Sequence, residues 1–231
     1  MSALEPLNLD SIAVDRVGSA RARGVPSGVG GATKRVMDVC IALVALIILA
    51  PLMIVVFLII KMTMGGPVIF GHDRVGLNGR TFRCLKFRSM VRDAEQVLRE
   101  HLANSPEAAE EWRQTRKLKD DPRVTRLGRV LRKSSIDELP QLFNVLRGEM
   151  SCVGPRPIVM DELERYGVNA GDYLAALPGL TGLWQVSGRS ALSYDERVAL
   201  DGLYVRTWSF QKDMIILLKT IPSVLHFDQT A

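Results

Sequence analysis

The chain has 231 residues, of which 47% are hydrophobic and 24% charged, and its formal net charge is +5. This length allows one membrane-attached domain of ordinary size. The three cysteines show neither paired nor metal-type spacing, which argues against a disulfide scaffold and is ordinary for a reduced compartment. Residues 113–133 include nine basic residues and only two acidic ones, both aspartates. A basic band of this kind favours phosphates, anionic lipid head groups or nucleic acid as partners.

The N-terminal part divides into a tail and an apolar segment. Residues 1–33 are rich in Gly, Ser and Ala without periodicity, which predicts a mobile tail. Residues 39–60 carry no charge over 22 positions. At about 1.5 Å per residue they reach roughly 33 Å, enough for a bilayer core of about 30 Å. We therefore expect a membrane helix over residues 34–64, followed by a domain over residues 65–231.

Two features bear on how this segment meets the membrane. Pro51 lies near its middle, where it removes a backbone hydrogen bond and disfavours helix at Ala50. Basic residues flank both ends, and the positive-inside tendency draws both ends towards the cytoplasm. Two topologies stay open: a helix that breaks at Pro51 and returns to the same face, and a single span with a proline kink.

The remaining pattern predicts a mainly α fold with a small β-hairpin, that is, a membrane-attached α+β domain. Residues 67–90 alternate like strands around Asn78 and Gly79, a strong hairpin signal. Helical patterns follow over residues 91–118 (interrupted near 104–106), 121–133, 193–208 and 210–225. The last of these is amphipathic, and it either lies flat in the membrane interface or closes the core.

Two adjacent carboxylates, Asp137 and Glu138, precede a helical pattern. Apolar residues recur at helical spacing from there on: Ile136, Leu139, Phe143 and Leu146. Ser135 and Glu138 fit a capping box, so the carboxylates are expected at a helix N-terminus, which suits carboxylates and phosphates alike. An ionised carboxylate aimed at a phosphate can act as a nucleophile in phosphoryl transfer. The alternative is that both residues are only helix-start acids.

Several unrelated strings occur in one order along residues 34–225. They are KRVMD before the apolar run, LKFRSM at residues 85–90, the stretch 120–157 ending in CVGPRP, and PGLTGLWQVSGR at residues 178–189. In these strings the chain resembles the bacterial sugar transferase family, monotopic phosphoglycosyl transferases that act on polyprenol phosphate. It looks most like the short initiators of acidic exopolysaccharide synthesis of the succinoglycan kind, which transfer galactose 1-phosphate from UDP-galactose.

The resemblance implies a reaction in two steps. Asp137 attacks the sugar-bearing phosphate of the UDP-sugar and UMP leaves, giving a phosphosugar–aspartyl intermediate. Undecaprenyl phosphate then attacks this intermediate. Glu138 is the neighbouring carboxylate, expected to help hold Mg²⁺ (or Mn²⁺) with Asp137 or to assist proton handling. Galactose is the sugar that the resemblance favours, with glucose as the alternative.

The same resemblance suggests further ligands and a location. Lys86, Arg88, Arg156 and Arg189 occupy motif positions and are candidate substrate-binding residues, because arginine forks suit phosphate oxygens; structural ion pairing is the alternative. The family implies a re-entrant helix broken at Pro51, in the bacterial cytoplasmic (inner) membrane. The catalytic domain would then lie on the cytoplasmic face of the lipid bilayer.

Two rival functions remain at this point. A membrane-anchored protein could use the basic band to bind anionic lipid or nucleic acid, but the chain lacks an RRM signature or zinc spacing, so no nucleic acid partner is expected. A phosphatase could use Asp137 through an aspartyl-phosphate, without needing the membrane segment. No sequence feature indicates an oligomeric state.

Overall fold

The structure is a computed structural model that describes residues 28–115, 118–188 and 191–225. Most of the predicted tail over residues 1–33 therefore lies outside the described residues. The predicted fold class is confirmed in its coarse form, because the described chain is mostly helical with a small antiparallel hairpin and one long apolar N-terminal helix.

The apolar segment forms one helix, α1, over Gly31–Met64. Among the described residues it is the helix that is long and apolar enough to cross a membrane. Pro51 lies inside α1, so the helix continues through this position, and the re-entrant turn of the helix at Pro51 stays a prediction. A proline removes one backbone hydrogen bond and can bend a helix without ending it. Most side chains near Pro51 are apolar and exposed, including Ile47, Ile48 and Ile54.

Both ends of α1 pack against the rest of the chain. Near its N-terminus, Nζ of Lys34 lies 2.6 Å from Oδ2 of Asp213, and Oδ1 of Asp38 accepts a hydrogen bond of 2.9 Å from the backbone N–H of Cys152. Beyond Pro51, Val56 and Ile60 are buried in a cluster with three residues of the following domain: Val68, Phe87 and Leu131. The domain therefore contacts α1 on both sides of Pro51.

The predicted hairpin is confirmed. Strands β1 (Ile69–Val75) and β2 (Thr81–Phe87) pair antiparallel, with Phe70 opposite Lys86 and Arg74 opposite Phe82. A 3₁₀ turn over Leu77–Gly79 joins them, in which Asn78 has φ 56°. Asparagine tolerates this left-handed conformation better than most residues, which explains the turn signal.

Helices α2 (Ala94–Asn104) and α3 (Pro106–Thr115) follow, separated at Ser105 as expected. The next helix, α4, spans Arg126–Lys133, which is shorter than the predicted 121–133. It begins where the Thr125 side chain accepts a hydrogen bond of 2.9 Å from the backbone N–H of Gly128. This N-cap sets the start of the helix, five residues after the predicted start at residue 121.

The C-terminal part combines short helices with a parallel strand pair that the sequence did not predict. Strands β3 (Ser151–Val153) and β4 (Gly179–Thr181) pair in parallel. The helices of the chain from α5 onward are Gln141–Arg147 (α5), Met160–Leu163 (α6), Ala170–Leu174 (α7), Leu183–Ser187 (α8), Tyr194–Arg206 (α9) and Phe210–Leu225 (α10). The expected helices over residues 193–208 and 210–225 are thereby confirmed within two residues. On α10, Phe210, Ile215, Leu218 and Ile221 remain exposed while Ile216 is buried in the core.

Candidate active site

Asp137 and Glu138 lie in a tight turn between α4 and α5. A 3₁₀ turn covers Ile136–Glu138, and Ser135 before it has φ 56° with no side-chain cap. The predicted capping box is therefore wrong. The left-handed backbone at Ser135 turns the chain sharply after α4, so that Ile136 and Leu139 pack against the cluster around Phe87 and Leu131. Burial of these apolar side chains decides the local conformation.

Asn144 of α5 links this segment to the hairpin. Its side-chain N–H groups donate to the carbonyl oxygen of Arg83 at 2.8 Å, and its carbonyl oxygen accepts from the backbone N–H of Leu85 at 3.0 Å. Asn144 is fully buried, so both bonds satisfy groups that would otherwise be costly to bury. The paired carboxylates are thereby held beside β2, on which Lys86 lies.

Lys86 and Glu138 form a salt bridge across this junction, with Nζ 2.5 Å from Oε1. Burial by itself raises the pKa of Glu138, but the positive charge and hydrogen bond of Lys86 outweigh it and hold that pKa below its ordinary value. Glu138 is therefore ionised at neutral pH, with its charge largely neutralised by Lys86.

Asp137 has a different environment, although it is the adjacent residue. It is only 6% exposed. Burial raises the pKa of Asp137 to about 6, and the charge of Glu138 adds to the rise while Lys86 and Arg132 oppose it. At neutral pH the carboxylate is mostly ionised but poorly solvated. This combination is typical of a group poised for nucleophilic or acid–base chemistry.

Two arginines outside the sequence-predicted set, Arg74 and Arg132, also act on this pair. Arg74 of β1 helps to lower the pKa of Glu138, as the predicted Arg156 does. Arg132 of α4 opposes the rise in the pKa of Asp137. The register of the hairpin indicates that Arg74 belongs to the site, because alternating positions place Arg74 on the same face of the sheet as Lys86. Arg132 belongs to the basic band over residues 113–133, and the sequence pattern does not distinguish it from the other basic residues there.

Arg156 extends from a turn fixed by the parallel strand pair. The backbone N–H of Gly154 donates to Thr181 at 2.9 Å, and that of Gly179 donates to Pro155 at 2.7 Å. A Cβ on Gly154 would lie 2.8 Å from the backbone nitrogen of Gly179, so only glycine permits this approach. The turn is therefore held by strand contact as well as by its prolines.

Two further contacts surround Arg156. Its guanidinium lies 5.9 Å from the centre of the Trp184 ring, and that of Arg197 lies 5.0 Å from the same ring. Behind the turn, the Tyr166 hydroxyl donates to buried Asp201 at 2.9 Å. Burial raises the pKa of Asp201 to about 7, against the opposing hydrogen bonds from Tyr166 and from the backbone of Arg156.

The four predicted substrate-binding residues have different positions. Lys86 and Arg156 lie beside the carboxylate pair, as described above. Arg88 lies at the end of α1, where Nη2 donates to the carbonyl oxygen of Met64 at 3.0 Å and to that of Gly65. Arg189 lies outside the described residues. The role of all four as substrate ligands stays a prediction.

The carboxylates of Asp137 and Glu138 could supply some, but not all, of the oxygen ligands that a hard cation such as Mg²⁺ needs. Among the described residues no group of three or more His, Cys, Asp or Glu side chains could enclose a metal ion. Asp137 and Glu138 remain two adjacent carboxylates, and Mg²⁺ commonly takes one or two carboxylates and completes its shell with phosphate oxygens and water. The pair therefore fits a metal that arrives with a phosphate substrate better than a permanently enclosed ion.

Comparison with known proteins decides the family. The model of the bacterial sugar transferase family matches residues 29–227. The chain belongs to the bacterial sugar transferase family. Its matched region includes α1, the hairpin, the carboxylate pair and the parallel strands.

Three relatives show where in this family the chain is placed. The exopolysaccharide production protein ExoY of Sinorhizobium fredii is 57% identical over 85% of this chain and 87% of its own length. The undecaprenyl-phosphate galactose phosphotransferase of Salmonella typhimurium is 56% identical over 84% of this chain and 41% of its own length. The UDP-glucose:undecaprenyl-phosphate glucose-1-phosphate transferase of Caulobacter vibrioides is 42% identical over 84% and 70%. The expected likeness to exopolysaccharide-initiating sugar transferases is confirmed.

Proposed function

We propose that this sugar transferase moves hexose 1-phosphate from a UDP-sugar to undecaprenyl phosphate, the first membrane step of exopolysaccharide synthesis. The observation that carries the proposal is the difference between the two adjacent carboxylates. Glu138 is paired with Lys86, whereas Asp137 is buried with a raised pKa of about 6. One carboxylate is thus held in a salt bridge, while the other is left as the nucleophile.

In the first step, an oxygen of Asp137 forms a bond to the sugar-bearing phosphorus of the donor. The bond from that phosphorus to the bridging oxygen breaks, and UMP leaves with the electron pair. In the second step, a phosphate oxygen of undecaprenyl phosphate attacks the same phosphorus. The phosphorus–Asp137 bond then breaks, so that the carboxylate is restored and undecaprenyl diphosphate-sugar is released. Covalent catalysis of this kind divides one displacement into two easier ones.

The cations around the two carboxylates would reduce the repulsion between these carboxylates and the negatively charged donor diphosphate. Lys86 neutralises Glu138, while Arg74 and Arg156 lie near enough to lower the pKa of that same residue. Arginine forks stabilise charge on transferring phosphoryl groups. We assign Lys86, Arg74 and Arg156 to the donor diphosphate, and Arg132 to the side of Asp137.

A metal ion would complete this arrangement. Mg²⁺ or Mn²⁺, when bound, supplies positive charge between the carboxylates and the donor diphosphate. Asp137 and Glu138 are the residues that would hold it. Glu138 would then contact both the ion and Lys86, and the salt bridge from Lys86 would orient the Glu138 carboxylate.

We also infer that α1 re-enters the cytoplasmic leaflet rather than spanning the bilayer. The supporting observation is that Asp38 and Ile60, on opposite sides of Pro51, both contact the same domain. In a straight helix these residues would be about 33 Å apart, the thickness of the hydrocarbon core. A span would then force part of the catalytic domain into lipid, whereas a helix bent at Pro51 would keep both contacts at one face.

Galactose is the sugar we propose, because the phosphotransferase of Salmonella typhimurium that is 56% identical is named for galactose. Glucose is the alternative, supported by the more distant relative of Caulobacter vibrioides. A panel of labelled UDP-sugars tested on membranes that contain the chain would separate the two.

Trapping the covalent intermediate tests the reaction. Incubation with UDP-galactose labelled in its sugar, without any lipid acceptor, should leave label on the protein and release UMP. Asp137→Asn should remove the label, whereas Asp195→Asn, an exposed aspartate on α9, should keep it. Initial rates with both substrates should give parallel lines. An unlabelled protein with intersecting lines would instead indicate direct displacement and overturn the proposal.

A further inference from the structure

A second cluster of cations lies at the C-terminal end of α1. An open cleft of about 320 Å³ is formed between the end of α1 and the stretch that follows β2. Its polar lining comes from Thr63, Arg88, Arg92, Asp93 and Thr125, and neither Asp137 nor Glu138 lines it. Thr63 directly follows the exposed residues Lys61 and Met62, so the cleft lies where the apolar helix ends.

Arg88 is the buried charge of this cleft. It is 7% exposed, and its Nη2 donates to the carbonyl oxygens of Met64 and Gly65. This contact caps the C-terminus of α1, where a cation is favourable. Its Nε and Nη1, however, are buried without a hydrogen-bond partner. A buried guanidinium with two unsatisfied nitrogens is costly unless an anion binds there.

Arg92 places a second guanidinium in the same cleft. It lies directly over Gly66, because a Cβ on Gly66 would come within 2.2 Å of Nη2 of Arg92. Gly66 has φ 65°, a left-handed conformation that favours glycine, and the absence of a side chain there leaves room for the Arg92 guanidinium. Burial and the nearby charge of Arg92 both lower the pKa of Arg88. The salt bridges between described residues include neither arginine.

We propose that this cleft binds the phosphate group of a membrane lipid, at a site that is separate from the donor diphosphate. Arginine forks bind phosphate oxygens in pairs, and basic pockets beside membrane helices bind lipid head groups. The apolar lining residues Met64, Met90 and Val91 would contact the glycerol or the first part of an acyl chain. The proposal rests on the membrane attachment proposed above and adds a lipid ligand at the end of α1.

Lipid retention tests this proposal without using activity. The full chain, purified in a mild detergent, is titrated with phosphatidylglycerol, and native mass spectrometry counts the lipids that remain bound. The unaltered chain should retain one lipid at a concentration at least about tenfold lower than Arg92→Glu does, since one phosphate contact to a charged group is worth roughly 1.4 kcal/mol or more. Arg99→Glu makes the same charge change at an exposed position on α2 and should behave like the unaltered chain. Equal retention by all three would overturn the proposal.

Competition identifies the source of the phosphate. Undecaprenyl phosphate and phosphatidylglycerol are compared at equal concentration in the unaltered chain and in Arg92→Glu, because undecaprenyl phosphate is also the proposed acceptor at Asp137. Retention of either lipid that Arg92→Glu weakens supports a lipid phosphate site in the cleft. Displacement of the lipid by UDP-galactose, or by inorganic phosphate alone, would overturn it, because the cleft would then take a soluble phosphate. Asp137→Asn should retain the lipid as well as the unaltered chain does. Failure of the proposed covalent reaction and failure of this lipid site would therefore be seen in different measurements.

Discussion

Lys86 reaches Glu138 and not Asp137, although the two carboxylates are adjacent in the chain. The contact, 2.5 Å between Nζ and Oε1, joins β2 to a turn that lies 52 positions further along the chain. It leaves Glu138 with a lowered pKa and Asp137 with a pKa of about 6. Two neighbouring acids thus acquire different ionisation behaviour, which is how active sites assign different roles to similar groups.

The rate of covalent labelling should depend on the ionisation of Asp137. With its pKa raised to about 6, the carboxylate is protonated below that pH and cannot attack. The single-turnover rate of labelling by UDP-galactose should therefore rise between about pH 5 and pH 7 and level off above, because only the ionised form is nucleophilic. The donor diphosphate does not titrate in this interval. A flat profile across it would contradict the assignment of Asp137.

The raised pKa also predicts a stability cost. The folded state favours the protonated carboxyl of Asp137. The protein therefore keeps its full stability below the pKa that Asp137 has in the unfolded chain, and it loses part of that stability as the pH rises through about 6. Asp137→Asn should relieve up to about 3 kcal/mol near pH 8, and the gain should shrink towards about pH 4. Thermal unfolding in detergent at both pH values measures this. A variant less stable than the unaltered chain at the higher pH would refute the prediction.

Removing Lys86 should change both carboxylates. Lys86→Gln takes away the charge that opposes protonation of Asp137 and Glu138, so the pH midpoint of labelling should move upwards. Labelling at neutral pH should fall at least about tenfold if the pair is worth roughly 1.4 kcal/mol in the transition state. Lys219→Gln, at an exposed position on α10, is the matched control.

A double-mutant cycle separates this contact from a general loss of charge. The combined variant Lys86→Gln with Glu138→Gln should lose less than the sum of the two single losses, because both substitutions break the same salt bridge. Strictly additive losses would show that Lys86 and Glu138 act independently.

Chelation should abolish transfer if a hard cation joins the carboxylates to the donor. Excess EDTA should remove activity, and added Mg²⁺ or Mn²⁺ should restore it, because these ions take carboxylate and phosphate oxygens. EDTA already saturated with Mg²⁺ is the control for effects of the chelator itself. Full activity in excess free EDTA would rule out this role for the metal.

The topology of α1 can be measured with single cysteines. Cys40→Ala removes the exposed native thiol, while Cys84 and Cys152 are buried. In that background, Ala32→Cys and Met62→Cys should both react with a membrane-impermeant reagent from the cytoplasmic side of inverted vesicles, since both flanks of a re-entrant helix return to one face.

Two further variants sharpen this measurement. Ile47→Cys, at an exposed apolar position near Pro51, should be protected from both sides. Pro51→Leu restores the missing backbone hydrogen bond, which should favour a straight span and place the two labels on opposite sides. Opposite labelling of the two flanks in the chain with Pro51 intact would establish a single span instead.

Local patterns in the sequence determined much of this molecule. The apolar run of α1, the hairpin around Asn78 and the helix at Phe210–Leu225 follow from hydrophobic periodicity and turn preferences. These act between residues that are close in the chain. The carboxylate pair was found in the same way, because Asp137 and Glu138 are adjacent and lie in a string typical of the family.

Only the tertiary structure decided what surrounds that pair. Ser135 takes a left-handed turn instead of capping a helix, because its apolar neighbours are buried against Phe87 and Leu131. Arg74 and Arg132 join the site through strand register and helix packing, at separations where periodicity carries no information. Long-range packing selects which faces meet, and burial then sets the charge state of each carboxylate. For this reason the sequence identifies the acids, whereas the fold distinguishes Glu138, which is paired, from Asp137, which we propose as the nucleophile.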